Sequence, residues 1–101
     1  MDKETILSIL KDKKEYLEKK FGVKKIGIFG SYIRGRQTEK SDIDIYVEFD
    51  IDKINLDKYY KLIEFLEDIF NKKIDIITKA GVETIRIQYI KEEIKRSIIY
   101  A

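Results

Sequence analysis

Cysteine, histidine, proline and tryptophan are all missing from this chain of 101 residues. Without cysteine there is no disulfide frame and no thiolate site, and without histidine the usual general base and zinc ligand are gone. Chemistry on this chain must use carboxylates, hydroxyls, lysine or arginine. An excess of one charge is lacking too. The 21 Lys+Arg against 19 Asp+Glu leave only +2, which argues for neither a nucleic-acid nor a membrane partner. No apolar run approaches the about 18 residues of a spanning helix. The opening MDKETILSILKDKK is charged throughout, unlike a signal peptide, so a cytoplasmic location is expected. Heavy use of Ile, Lys and Glu beside these absences leans toward a thermophile.

What is present fits one folded domain over 1–101: hydrophobic residues make up 44% of the chain, and the length suits one core. Ile6, Leu10, Leu17 and Phe21 recur at helical intervals in a Lys/Glu background, predicting an amphipathic helix over 3–20 with Asp2 as its cap and an end near Gly22. VKKIGIFG then reads as a strand stopped by Gly30, with a brief helix over 31–34 and a polar loop after it. IDIYVEF (43–49) alternates strictly, so Ile43, Ile45, Val47 and Phe49 share one face and Asp42, Asp44, Tyr46 and Glu48 the other. Asn55 can cap a helix over 56–70 with Leu56, Tyr59, Ile63, Leu66 and Phe70 as its stripe. KIDIIT (73–78) is a third strand, and Val82, Ile85, Tyr89, Ile94 and Ile98 suggest a terminal helix over 83–97. The order α-β-α-β-α-β-α predicts an α/β domain of the α+β type, with helices packed on a small mixed sheet. Lys11, Lys13, Lys14, Lys19 and Lys20 read as a solvated helix face rather than an RNA site, since acids interleave with them. Tyr59, Tyr60, Phe65 and Phe70 read as core and interface aromatics.

Two features carry chemistry. A strand–Gly–Ser–helix junction at Gly30-Ser31 presents outward peptide N–H groups and a hydroxyl, which can hold a phosphate, although such a turn is often only a turn. Asp42 and Asp44, two apart on a strand, project to one face with Cα atoms about 7 Å apart, within reach of a common Mg²⁺; two acids on a solvated polar face would look the same. Asp75 stands among Ile74, Ile76 and Ile77, where a charge needs a partner or a metal unless the strand lies at an edge. Three carboxylates beside a phosphate-binding turn are the minimum for two-metal phosphoryl or nucleotidyl transfer, and Asp75 is then the candidate base. Other motifs fail. Gly30 to Gly35 is followed by Arg36 and Gln37 rather than Lys and Ser/Thr, so there is no P-loop. The stretch from Asp42 departs from an EF-hand at Tyr46 and Val47.

Gly30-Ser31, Arg34-Gly35 and Ser41-Asp42-Ile43-Asp44, followed by a hydrophobic strand, resemble the signature of the minimal nucleotidyltransferases of the DNA polymerase β superfamily in order and spacing. Asp75 lies where that family carries its third carboxylate, and the close KRSIIY is similar to the family's. Ile33 and Arg36 depart from it, standing where Ala and an acid are usual. The resemblance implies metal-dependent transfer of AMP from ATP with release of pyrophosphate. It assigns Gly30 and Ser31 to the triphosphate, Asp42, Asp44 and Asp75 to catalysis and to two Mg²⁺ ions, and Arg34 either to a phosphate or to an ion pair fixing the short helix. It further implies the antitoxin of a two-gene module, acting on a tyrosine of a HEPN-type ribonuclease toxin, in a homo- or hetero-oligomer. The alternatives are an antitoxin that only occludes its partner and a transferase acting on a small molecule.

Overall fold

A computed structural model describes residues 2–30 and 42–101. Ser31, Arg34, the expected helix over 31–34, Gly35, Arg36 and Ser41 lie outside the described residues. The chain begins with α1 (Lys3–Asp12) and α2 (Lys14–Phe21), followed by β1 (Val23–Phe29). The Asp2 carboxylate accepts from the Thr5 N–H at 2.9 Å, as a capping residue should. Gly22 ends α2 at φ +72°, a left-handed conformation suited to glycine. The single helix expected over 3–20 is instead broken at Lys13. The break falls in the charged run Asp12-Lys13-Lys14, and beyond it Leu17 and Phe21 reach both β1 and the third helix.

β2 (Ile43–Phe49), α3 (Leu56–Phe70) and β3 (Ile74–Thr78) form one right-through unit of strand, helix and parallel strand. Asn55 caps α3 by accepting from the Lys58 N–H at 2.8 Å. The buried stripe of α3 is Leu62, Leu66 and Phe70, whereas Leu56 is 69% exposed and Tyr59 and Ile63 are half-buried. The expected stripe was therefore displaced along its first turns, because α3 meets the core only from its second turn onward. The terminal helix expected over 83–97 resolves into α4 (Lys79–Glu83) and α5 (Gln88–Ser97), and the chain then enters β4 (Ile99–Tyr100). Thr78 caps α4 by accepting from the Gly81 N–H. Tyr89, expected on the apolar stripe, is 71% exposed.

The sheet order is β3-β2-β1-β4, with β1 antiparallel to both β2 and β4 and β2 parallel to β3. This is the expected α+β class, with one strand more than the sequence pattern indicated. Gly27 makes room for that strand: a Cβ there would meet the Ile99 carbonyl oxygen at 2.5 Å. One sheet face carries Ile26, Ile28, Ile43, Ile45, Val47 and Ile74 into a core closed by Ile6, Leu10, Leu17, Phe21, Leu62 and Leu66. Each fully buried Ile or Leu there contributes about 1.5–3 kcal/mol. The opposite face bears a smaller cluster of Tyr46, Val82 and Ile98. Among the described residues no helix is long and apolar enough to cross a membrane.

Candidate active site

The period of two along β2 sends Ile43, Ile45 and Val47 into the main core and leaves Asp44, Tyr46 and Glu48 on the opposite face. That division is the one expected from the alternation, except that Tyr46 is buried. Its ring packs edge-on against Tyr100, with centroids 5.9 Å apart, beside Val82 and Ile98. Burial, with Tyr100 and Glu48 nearby, pushes the Tyr46 phenol up to about 12. The apparently polar face is thus polar only at its two ends.

At the end where β2 begins, three observations converge. The parallel register sets Asp44 directly beside Asp75, and the antiparallel register sets Asp44 beside Phe29, the residue before Gly30. Gly30 has φ +81°, and a Cβ built on it would collide with Asp44 Oδ2. Glycine is therefore required twice over at this position, by its left-handed backbone and by the carboxylate lying against it. Asp42 immediately precedes β2 and is half-buried, while Asp75 is exposed. The structure thus brings Gly30, Asp44 and Asp75 together and puts Asp42 at the entrance of the same strand. Among the described residues, no three Asp or Glu side chains gather into a ready-made metal cage.

That arrangement fits Mg²⁺ delivered with a nucleotide. Mg²⁺ prefers hard oxygens, keeps several waters, and is commonly held by one or two carboxylates plus substrate phosphates rather than by an all-protein cage. Asp44 and Asp75, paired in register, would supply the carboxylate share of such a set.

The opposite end of the same face is built differently. Glu48 is turned inward, with its side chain 13% exposed, and meets Lys79 at 3.6 Å. Glu83, at the end of α4, is gripped by Lys95 at 2.9 Å and Lys91 at 3.0 Å, which hold its carboxyl down at about 2. These Glu83 pairs fasten α4 and α5 to one another; Glu83 could not be singled out in advance because its partners lie on a helix that begins after a turn the periodicity did not show.

Comparison with known proteins decides the family. The sequence profile of the nucleotidyltransferase domain matches residues 10–101. The chain belongs to the nucleotidyltransferase domain family. It is 47% identical over 96 residues to a Methanocaldococcus jannaschii protein provisionally named a protein adenylyltransferase, covering 94% of this chain and 93% of that one. It is 37% identical over 97 residues to the protein adenylyltransferase MntA of Thermococcus cleftensis, covering 96% and 93%. A solved structure provisionally described as a minimal nucleotidyltransferase superimposes with a TM-score of 0.75 at 25% identity, covering 98% of this chain and 95% of that one. The fold is shared with a toxin–antitoxin complex solved with AMP-PNP, at a TM-score of 0.62 and 20% identity, covering 99% and 72%. The chain is therefore that of a nucleotidyltransferase enzyme, and its relatives along nearly its whole length are named for adenylyl transfer to protein.

Proposed function

We propose that this nucleotidyltransferase is an antitoxin that transfers AMP from ATP to a hydroxyl of a partner protein, a tyrosine of a HEPN-type ribonuclease toxin, and so silences it. The observation that carries the reading is the register pairing of Asp44 with Asp75 against Gly30. Two further facts support it. Relatives covering most of the chain are named protein adenylyltransferases, and toxin–antitoxin complexes share the fold, one of them with an ATP analogue.

In this reading Asp42, Asp44 and Asp75 hold two Mg²⁺ ions. Bound there, Mg²⁺ would offset negative charge on the transferring phosphate and favour ionisation of the acceptor hydroxyl. Gly30, Ser31 and Arg34 take the triphosphate, with Gly30 letting the Asp44 carboxylate lie against the same turn. Asp75, exposed on the outer strand, accepts the acceptor's proton. The acceptor oxygen then bonds to the α-phosphorus, the bond from that phosphorus to the bridging oxygen breaks, and pyrophosphate leaves. No histidine is needed, in keeping with the composition.

The test is the intact mass of a purified HEPN-type ribonuclease from the same organism, after incubation with the enzyme, Mg²⁺ and each nucleoside triphosphate in turn. Gain of one or more AMP units, lost with Asp44→Asn, is the expected result. Tight binding with no mass change under any nucleotide would replace catalysis by occlusion.

A further inference from the structure

A groove of about 1030 Å³ opens at the far end of β2 and β3, away from the Asp44–Asp75 pair. Its apolar lining includes Phe49, Ile51, Leu56 and Tyr59, and two of these are unusually bare: Ile51 is 86% exposed and Leu56 69%. The volume is close to that of a ligand site, and exposed aliphatic side chains gathered at one groove, rather than scattered singly, are what mark an interaction surface. Its charge argues against a strongly ionic occupant. Of the four acids lining it, Glu48 and Asp50 meet Lys79 and Lys53, and Glu83 is held by Lys91 and Lys95. Such near-balance gives no field for a nucleic acid, an anionic lipid surface or a second triphosphate.

Topology links the groove to the transfer site. β3 is an outer strand, and among the described residues no strand pairs with its outer edge. Thr78 lines the groove and Asp75 lies three residues earlier on the same strand, roughly 10 Å away at the rise of an extended chain. A peptide lying along this edge can hydrogen-bond to β3 through its backbone while one side chain enters the groove. The direct route over the sheet face is filled by Tyr46, Val82 and Ile98, which leaves the unpaired β3 edge as the connecting path.

We propose that the groove and the β3 edge together form a docking site for an extended segment of the protein acceptor. A bulky apolar residue sits in the groove about three residues from the hydroxyl presented at Asp75. This inference rests on the protein-acceptor reading above and names how that acceptor is gripped. In a domain this small, the same sheet then recognises the substrate at one end and modifies it at the other.

The test uses Ile51→Ser with Leu56→Ser in the full chain, and each single change as a milder version. Both side chains already face water, so folding should be spared, and circular dichroism melts verify it. Affinity for the toxin is measured by calorimetry, with steady-state transfer alongside. The double variant should weaken binding and raise the KM for the toxin at least tenfold, leaving the KM for ATP and the kcat at saturating toxin unchanged. Unchanged affinity and KM in a folded double variant would overturn the docking site even if transfer itself is established. If the unaltered enzyme binds the toxin without modifying it and the double variant loses that binding, the groove stands and the transfer reading falls. If the unaltered enzyme neither binds nor modifies it, both fall.

Discussion

Replacing Gly30 by alanine asks one methyl group to do two kinds of damage that can be measured separately. At φ +81° a non-glycine residue costs about 1–2 kcal/mol, and for a domain of this length each kcal/mol lowers Tm by roughly 4–8 °C. A drop of about 4–16 °C should therefore appear in a calorimetric melt. The second effect is local. The new Cβ collides with Asp44 Oδ2, so that carboxylate must move. Misplacement of a catalytic group by about 1 Å can cost on the order of 10²-fold in rate. Asn71→Ala is the control, because Asn71 also has a left-handed backbone, φ 51°, at the end of α3. It should lower Tm by a similar mechanism and leave AMP transfer at a temperature well below the melt unaffected. Equal transfer by Gly30→Ala and Asn71→Ala would refute the claim that Gly30 exists to admit the Asp44 carboxylate.

Three other perturbations separate chemistry from scaffold. Asp75→Asn should lower kcat by about 10²–10⁴, the usual worth of a positioned base, with little change in Tm because Asp75 is exposed; a rate within threefold of the parent would remove it from the mechanism. Glu83 is held at about 2, below its ordinary 4.5, so its ion pairs stabilise the fold fully above pH 4.5 and lose that contribution as pH falls toward 2. Melts of Glu83→Gln should accordingly be flatter over that range, and less different from the parent in high salt, which screens exposed pairs. Gly27→Ala pushes a Cβ to 2.5 Å from the Ile99 carbonyl oxygen, an overpacking worth about 1–3 kcal/mol. Faster amide exchange at Ala101, whose N–H donates to the Ile26 carbonyl at 2.9 Å, would show β4 leaving the sheet.

Periodicity made β1, β2 and α3 legible because each is long enough for its pattern to repeat, and Asp2 and Asn55 marked helix starts by their side-chain chemistry. The break at Lys13 was hidden because Leu10 and Leu17 keep the same helical phase on either side of it. β4 was hidden for another reason. Ile98-Ile99-Tyr100 is too short to carry a period, and what makes it a strand is its pairing with Gly27 and Ile28, more than seventy positions earlier. Asp44 and Asp75 were legible as acids on strands, and Asp42 as an acid beside one. The motif pointed to acids gathered near the turn, but the exact pairing of Asp44 with Asp75 was not legible, since register in a parallel pair joined through α3 is not written in the residues beside either acid. Tyr46 shows the limit of alternation, which assigns a face without saying whether that face is covered.

The parallel pairing also fixes when the site comes into being. β2 and β3 cannot meet through a tight turn; the whole of α3 must first be laid across the sheet to return the chain in the same direction. Such non-local pairing is intrinsically slow, and it is the step that sets Asp44 beside Asp75. A nascent chain that has made its first helices and strands therefore has no Asp44–Asp75 pair, and on the proposed reading competence for transfer would arrive with the closure of the sheet rather than accumulate along the way.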